Sequence, residues 1–120
     1  MAGKFCVSLS CAVDGGDKPT VAFVIATAAL AAEKDTLVFL TSEGVRISQR
    51  GYADGIHDEG SPPLKDLIAN FTVNGGKIFV CTSCFQRRKL DDAQLVPGAT
   101  IVGGAKLVEF LADGTPCVSF

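Results

Sequence analysis

The sequence has no apolar run long enough for a membrane helix. Its longest uninterrupted apolar stretch covers residues 21–32, whereas a helix needs about 20 apolar residues to cross a bilayer. The N-terminal region carries one lysine and a short apolar run that Asp14 interrupts, which is not the pattern of a signal peptide. We therefore predict no membrane association and a cytoplasmic protein.

The chain also lacks a large excess of positive or negative charge. The 120 residues carry a net charge of −2, and no basic patch is large enough to suggest nucleic acid or an anionic membrane as the main partner. Charged residues make up 20% and apolar residues 48% of the chain, a balance that excludes intrinsic disorder. The length is typical of one domain and no linker or repeat is visible, so we predict a single domain over residues 1–120.

Several metal and cofactor motifs are missing as well. The sequence has one C-x-x-C, at Cys81 and Cys84, but no second one, and a structural zinc site needs four ligands. The pair Gly15 and Gly16 lacks the spacing of a dinucleotide-binding loop, and no Walker lysine pattern is present. We predict neither a metal nor a cofactor. The cysteines number five, and this odd count favours free thiols over a fully paired disulfide framework.

Short apolar runs alternate with helical patterns along the whole chain. Strands are predicted at residues 4–10, 35–41, 77–81, 99–103 and 116–120, and helices at residues 19–34, 62–76, 83–90 and 105–114. The strand segments are continuously apolar, which is typical of a parallel sheet covered on both faces. We therefore predict an α/β fold, a single three-layer α/β/α domain with a five-stranded, mainly parallel sheet.

The irregular part of the chain is the segment 44–61, which contains four glycines, Tyr52 and the only histidine, His57. A connection of this length inside a small domain is usually functional or holds a short helix, for which residues 45–53 are suited. We predict that it covers the cysteine site, with its glycines as hinges; a plain surface connection is the alternative. His57 is interpreted as a solvated loop residue, with proton transfer to a thiol as the alternative.

The predicted strands place the cysteines in two groups. Ligand sites of open parallel sheets lie at the carboxyl ends of the strands. Cys11 follows the first strand, Cys81 ends the third and Cys84 lies one helical turn further on, so we expect all three at one edge of the sheet. Cys6 and Cys117 fall inside strands, and we expect both to be small buried hydrophobic residues.

The surroundings of Cys81 support two interpretations equally. A thiol at the start of a helix meets unpaired N–H groups that favour the thiolate, and Arg87 and Arg88 lie on the same helical face as Cys84. These residues would form a site with a low-pKa thiol and an anion-binding, pKa-lowering arginine pair. The alternative is a buried strand-end cysteine beside a solvated cationic helix end.

The chain resembles the DsrE/DsrF-like family, which includes TusD-related small sulfur-relay proteins, over nearly its whole length. The resemblance is carried by the strand, turn and helix of residues 4–33, by "FLTSEGV" (39–45) and by "VCTSCFQRR" (80–88). The family's sulfur-accepting cysteine maps onto Cys81, and its arginine pair onto Arg87 and Arg88. The chain has Lys89 where a glycine often follows those arginines, and Cys84 is absent from TusD-like chains but present in some stand-alone members.

The resemblance implies a sulfur carrier, and for an active member a persulfide-forming sulfurtransferase. Cys81 would accept a sulfane sulfur as a persulfide and pass it to another thiol, with Cys84 or Cys11 as the auxiliary cysteine and with sulfur donor or acceptor proteins as partners. The resemblance also implies a homo-oligomer, commonly a trimer or hexamer. Two alternatives stay open: a non-enzymatic module that binds a small anion, and a C-x-x-C thiol–disulfide redox protein.

Overall fold

The fold is built on a five-stranded parallel sheet, in a computed structural model that describes residues 3–120. The strands are β1 (Lys4–Leu9), β2 (Asp35–Leu40), β3 (Lys77–Cys81), β4 (Ala99–Val102) and β5 (Cys117–Ser119). Their order is β4-β3-β2-β1-β5, and every neighbouring pair is parallel. The predicted five-stranded α/β architecture is confirmed; residues 1 and 2 of the expected domain lie outside the described residues.

The α-helices cover both faces of this sheet, which confirms the three predicted layers. They are α1 (Lys18–Ala31), α2 (Leu64–Val73), α3 (Thr82–Arg87) and α4 (Gly104–Leu111). One hydrophobic cluster joins α1, α2 and Phe85 of α3 to one face, and a second joins Phe110 of α4 to the other. Within residues 3–120, no helix has the length and apolar character that a membrane crossing requires.

Burial on both faces explains the continuous apolar runs of the strands. Along β2, Val38 and Leu40 belong to the first cluster, whereas Leu37 and Phe39 belong to the second. Successive side chains of a strand point to opposite faces, so both sets must be apolar. The same parallel order brings the carboxyl ends of the strands to one side of the molecule, which we call the carboxyl edge.

The first part of the segment that follows β2 is folded onto the core. It contains two 3₁₀-helices, Ser42–Ser48 and Tyr52–Gly55, at the place where a short helix was predicted. Val45 and Ile47 are almost fully buried. Gly44 is required for close approach, because a Cβ at this position would collide with the carbonyl oxygen of Leu9. The prediction of a hinge at Gly44 is therefore wrong: this glycine allows tight contact with β1.

Three helices end in the same hydrogen-bonded motif, with a residue of positive φ just after the helix. Gly75 takes that position after α2, Glu33 after α1 (φ 64°) and Lys89 after α3 (φ 53°). After α3, the N–H of Lys89 donates to the Gln86 carbonyl and the N–H of Leu90 to the Phe85 carbonyl, which is the Schellman pattern. The glycine that the family often has after the arginine pair thus corresponds to a left-handed position.

Candidate functional site: the Cys81–Cys84 thiol pair

Cys81 is held at the junction of β3 and α3. It pairs in register with Val102 of β4 and, with an extended backbone (φ −62°, ψ 120°), immediately precedes the first residue of α3. The hydroxyl of Thr82 donates to the Val102 carbonyl over 2.7 Å, which ties the first turn of the helix to the end of the neighbouring strand. Two strands therefore fix the backbone of Cys81, and its half-buried side chain contacts both hydrophobic clusters.

The first turn of α3 stabilises the Cys81 thiolate. Partial burial raises the pKa of this thiol, but four hydrogen bonds outweigh that effect and hold the pKa below its usual value. The donors are the Ser83 hydroxyl, the Cys84 N–H, the Cys84 thiol and the Ser83 N–H, in decreasing order of effect. The Ser83 oxygen lies 3.5 Å from the Cys81 sulfur. A lowered pKa and partial exposure are properties of a cysteine that can act as a nucleophile.

Cys84 is the direct neighbour of that nucleophile. It is half-buried against the first hydrophobic cluster, and its N–H and thiol are among the groups that lower the pKa of Cys81. Both cysteines are reduced in this structure. The pair is therefore suited to two kinds of chemistry: attack by Cys81 on an external sulfur, and closure of a disulfide between the two residues.

Arg87 and Arg88 differ in what they contact. Arg88 is largely buried and donates through Nε to Glu43 at 2.5 Å and through a second nitrogen to the Cys84 carbonyl at 3.1 Å. Arg46 donates to the other carboxylate oxygen of Glu43 at 2.7 Å. These hydrogen bonds, first from Arg88 and then from Arg46, hold the pKa of the Glu43 carboxyl below its usual value. Arg88 thus joins α3 to the Ser42–Ser48 helix.

Arg87, in contrast, is exposed at the end of α3. The donors that lower the pKa of Cys81 belong to Ser83 and Cys84, so a contribution from the two arginines stays a prediction. Arg87 is the member of the pair that solvent or an anionic reactant reaches.

Cys11 follows β1 as predicted but does not join the thiol pair. Its side chain is buried against Gly15, at a distance so short that a Cβ on Gly15 would collide with its sulfur. Burial, and then the nearby Asp14, raise the pKa of this thiol, while Lys18 partly opposes them. Strand β2 lies between β1 and β3, and two strand spacings amount to about 10 Å. Cys84, and not Cys11, is therefore the cysteine that the fold places beside Cys81.

Tyr52 and His57 are both engaged elsewhere in the chain. The Tyr52 hydroxyl accepts a 3.4 Å hydrogen bond from the Val13 N–H, in the turn after β1. The exposed His57 ring makes a 2.8 Å hydrogen bond through Nε2 to the carbonyl oxygen of Ser61. These contacts agree with a solvated loop position for His57, and they tie Tyr52 to the β1 end of the carboxyl edge.

Two residues of the site were not anticipated from the sequence, Ser83 and Glu43. Ser83 lies inside the C-x-x-C, where a hydroxyl two residues after a cysteine can reach back to its sulfur, so the motif itself contains this signal. Glu43 is 45 residues from Arg88 along the chain, and no local pattern indicates that pair.

The thiol pair is separate from the main apolar cavity. That cavity, of about 270 Å³, lies between α2 and the segment after β2, and residues such as Ile47, Ile68 and Val96 line it. Within residues 3–120, no three His, Cys, Asp or Glu side chains come together in a way that would hold a metal ion.

Comparison with known proteins shows the family of this chain. The model of the DsrE/DsrF-like family matches residues 4–120. Among curated proteins, MJ0760 of Methanocaldococcus jannaschii is 26% identical over 96 residues, which are 80% of this chain. The match covers only 35% of that relative.

Two solved structures share the fold. YchN of E. coli superposes with a TM-score of 0.81 at 18% identity, with 100% of both chains covered. MTH1491 of Methanobacterium thermoautotrophicum superposes with a TM-score of 0.73 at 15% identity, with 98% of this chain and 99% of that chain covered.

Proposed function

This chain belongs to the DsrE/DsrF-like family, and we propose that it is a sulfur carrier in which Cys81 holds a persulfide. The observation that supports this role is the position of the Cys81 thiol directly before α3, with the Ser83 hydroxyl 3.5 Å from its sulfur and donors from Ser83 and Cys84 that lower its pKa. A thiolate is the form of cysteine that attacks a sulfane sulfur. The family membership supports the choice of sulfur as the transferred group.

The proposed transfer needs no external oxidant. The Cys81 thiolate attacks the terminal sulfur of a donor persulfide, a new S–S bond forms, and the donor's own S–S bond breaks. The donor leaves as a thiolate that takes up a proton, and Cys81 carries one additional sulfur. An acceptor thiolate then attacks that outer sulfur and regenerates the Cys81 thiolate. The partners in this scheme are thiols, of small molecules or of donor and acceptor proteins.

A second candidate function is thiol–disulfide exchange by the same two residues. The position of the pair favours it, because Cys81 immediately precedes α3 and Cys84 lies in the first turn of that helix. In this scheme Cys81 attacks a substrate disulfide and forms a mixed disulfide with one of its sulfur atoms. Cys84 then attacks the Cys81 sulfur and releases the remaining substrate thiol. The protein becomes a Cys81–Cys84 disulfide, and the substrate is reduced to two thiols.

The mass of the intact protein distinguishes the two functions. The reduced protein is incubated with glutathione persulfide, freed of small molecules and weighed without reduction. A sulfur carrier gains the mass of one sulfur, and fragmentation of the peptide 78–87 assigns that sulfur to Cys81. A redox protein loses two hydrogens instead. A protein that only binds a small anion keeps its original mass, and this result would contradict both proposals.

Single serine variants provide the controls. Cys81→Ser should abolish the gain of sulfur, whereas Cys11→Ser should retain it, because Cys11 is buried against Gly15. Cys84→Ser should still gain sulfur at Cys81 but should lose the ability to form the Cys81–Cys84 disulfide. A sulfur found on Cys84 or Cys11 while Cys81 stays unmodified would move the site and overturn this assignment.

A further inference from the structure

A second pair of cysteines joins β1 to β5, the edge strand on the side of the sheet away from Cys81. Cys6 and Cys117 occupy paired positions on the neighbouring parallel strands β1 and β5. Cys6 is fully buried as expected, but Cys117 is exposed. The expectation that Cys117 is buried is wrong because β5 is an edge strand of only three residues, each of them exposed.

The backbone holds these two cysteines at a distance suited to a disulfide. The Cys6 N–H donates to the Pro116 carbonyl at 3.0 Å and the Phe120 N–H to the Ser8 carbonyl at 2.8 Å, which fixes the register on both sides of the pair. Paired residues of neighbouring strands are about 4.8 Å apart, and a disulfide spans roughly 4.4–6.8 Å between Cα atoms.

The side chains also point the same way. Paired residues of parallel strands face the same side of a sheet, so the side chains of Cys6 and Cys117 are neighbours on one face of the sheet. A bond between their sulfur atoms therefore requires no change of register.

We propose that Cys6 and Cys117 form a second redox site, which a hydroperoxide such as hydrogen peroxide converts into a disulfide that fastens the C-terminal strand to the sheet. The site is independent of the sulfur-carrier function. Its effect is on the edge strand β5, which the bond would hold to β1 by a side chain as well as by backbone hydrogen bonds.

The oxidation proceeds in two steps. The exposed Cys117 sulfur, after loss of its proton, attacks one oxygen of hydrogen peroxide; the O–O bond breaks, giving a sulfenic acid and one water. The Cys6 sulfur then attacks the Cys117 sulfur, the S–S bond forms as the S–O bond breaks, and the leaving hydroxide takes the Cys6 proton as a second water. The two thiols lose two electrons, and the peroxide gains them.

The order of these steps follows from burial and charge. Burial, together with the hydrogen bond and the charge of Cys117, raises the pKa of Cys6 to about 12, so Cys6 stays protonated while Cys117 reacts first. Conversion of Cys117 to an uncharged sulfenic acid removes the two contributions that come from its thiolate. Burial of Cys6 remains, and the second step should therefore be slower than oxidation of the Cys81–Cys84 pair.

The experiment follows the oxidation by peptide mass. The native protein is treated with hydrogen peroxide, remaining thiols are alkylated, and the chain is digested without reduction. Trypsin releases residues 107–120 with Cys117 as their single cysteine, and a further cleavage after Leu9 separates Cys6 from Cys11. The expected product joins the Cys6 and Cys117 peptides with the loss of two hydrogens, and dithiothreitol separates them again.

Two variants with two cysteines each provide a matched comparison. Cys11→Ser/Cys81→Ser/Cys84→Ser retains the proposed pair and should form the internal disulfide. Cys6→Ser/Cys81→Ser/Cys84→Ser retains Cys117 with the buried Cys11 and should not. In the oxidised native protein, amide exchange of residues 117–119 should become slower than in the reduced protein.

Two outcomes would overturn the proposal. One is oxidation of Cys117 to sulfinic acid while Cys6 remains a free thiol in the native protein. The other is a disulfide that joins Cys117 residues of two chains and leaves Cys6 unpaired. Neither outcome affects the sulfur-carrier proposal, because the gain of sulfur is measured at Cys81.

Discussion

Replacement of Ser83 by alanine tests how the site activates Cys81. The substitution removes the hydroxyl that lies 3.5 Å from the Cys81 sulfur, which is the donor that lowers the pKa of this thiol most. We expect the pKa of Cys81 to rise in Ser83→Ala. Ser83 is exposed on the first turn of α3, so the fold itself should be little affected.

The size of the effect follows from the strength of this hydrogen bond. A net hydrogen bond contributes about 0.5–1.5 kcal/mol, and we take about 0.5–1 kcal/mol because the contact is long and solvent-exposed. That energy corresponds to about twofold to fivefold less thiolate at a pH below the pKa. The thiolate that remains is more nucleophilic, by about 1.5-fold to twofold, because nucleophilicity rises with pKa with a Brønsted slope of about 0.4–0.5.

These two effects act in opposite directions, so the pH profile of alkylation is the measurement. Against iodoacetamide, Ser83→Ala should react about twofold more slowly than the native protein at a pH below the pKa, where the thiolate fraction limits the rate. At a pH above the pKa it should react about 1.5-fold to twofold faster. Ser83→Thr retains the hydroxyl and should follow the native profile.

Because the peptide 78–87 contains both Cys81 and Cys84, fragmentation must assign the label to one of them. A rate that changes by the same factor at every pH would mean that the substitution altered access to Cys81 and not its pKa. An unchanged midpoint of the profile would refute the assignment of Ser83 as a donor to the thiolate.

Three further predictions concern the arginine pair, two residues with a left-handed backbone, and the oligomeric state. Arg87→Ala should raise the pKa of Cys81, because it removes an exposed cation from α3, and the pH profile of alkylation measures this change. Arg88→Ala should mainly lower the melting temperature, because it breaks the hydrogen bonds to Glu43 and Cys84. An unchanged pH profile in the first variant or an unchanged melting curve in the second would contradict these expectations. Lys89→Gly should stabilise the protein by about 0.5–1 kcal/mol by relieving a left-handed backbone, as should Glu33→Gly; lower melting temperatures would contradict this. Light scattering should give a multiple of the 12.5 kDa chain mass, and the monomer mass would contradict the expected trimer or hexamer.

The positions of the strands could be predicted from the sequence because they depend on the local pattern of apolar residues. A strand buried on both faces must be apolar at successive positions, as Leu37, Val38 and Phe39 are, so its place can be found without knowledge of its neighbours. The position of Cys81 followed from the same reasoning, because a residue at the end of a parallel strand lies at the carboxyl edge in any strand order.

Features that depend on strand order or on distant contacts could not be predicted in this way. The exposure of Cys117 results from the place of β5 at an edge of the sheet, and its own sequence resembles that of a buried strand. The choice between Cys84 and Cys11 as the auxiliary thiol depended on β2 lying between β1 and β3. The pairing of Arg88 with Glu43 turned a predicted anion-binding residue into a link between α3 and the segment after β2.

This link connects the reactive thiol to the rest of the carboxyl edge. Arg88 contacts the carbonyl oxygen of Cys84 as well as Glu43, so the helix that supplies donors to Cys81 is anchored to the chain that follows β2. Thr82 anchors the other end of the same helix to β4. A helix of six residues is too short to be stable by itself, and these attachments to two neighbouring elements are what keep its first turn aligned with the sulfur. Arg88 therefore supports the position of α3, the helix that begins at the Cys81 sulfur.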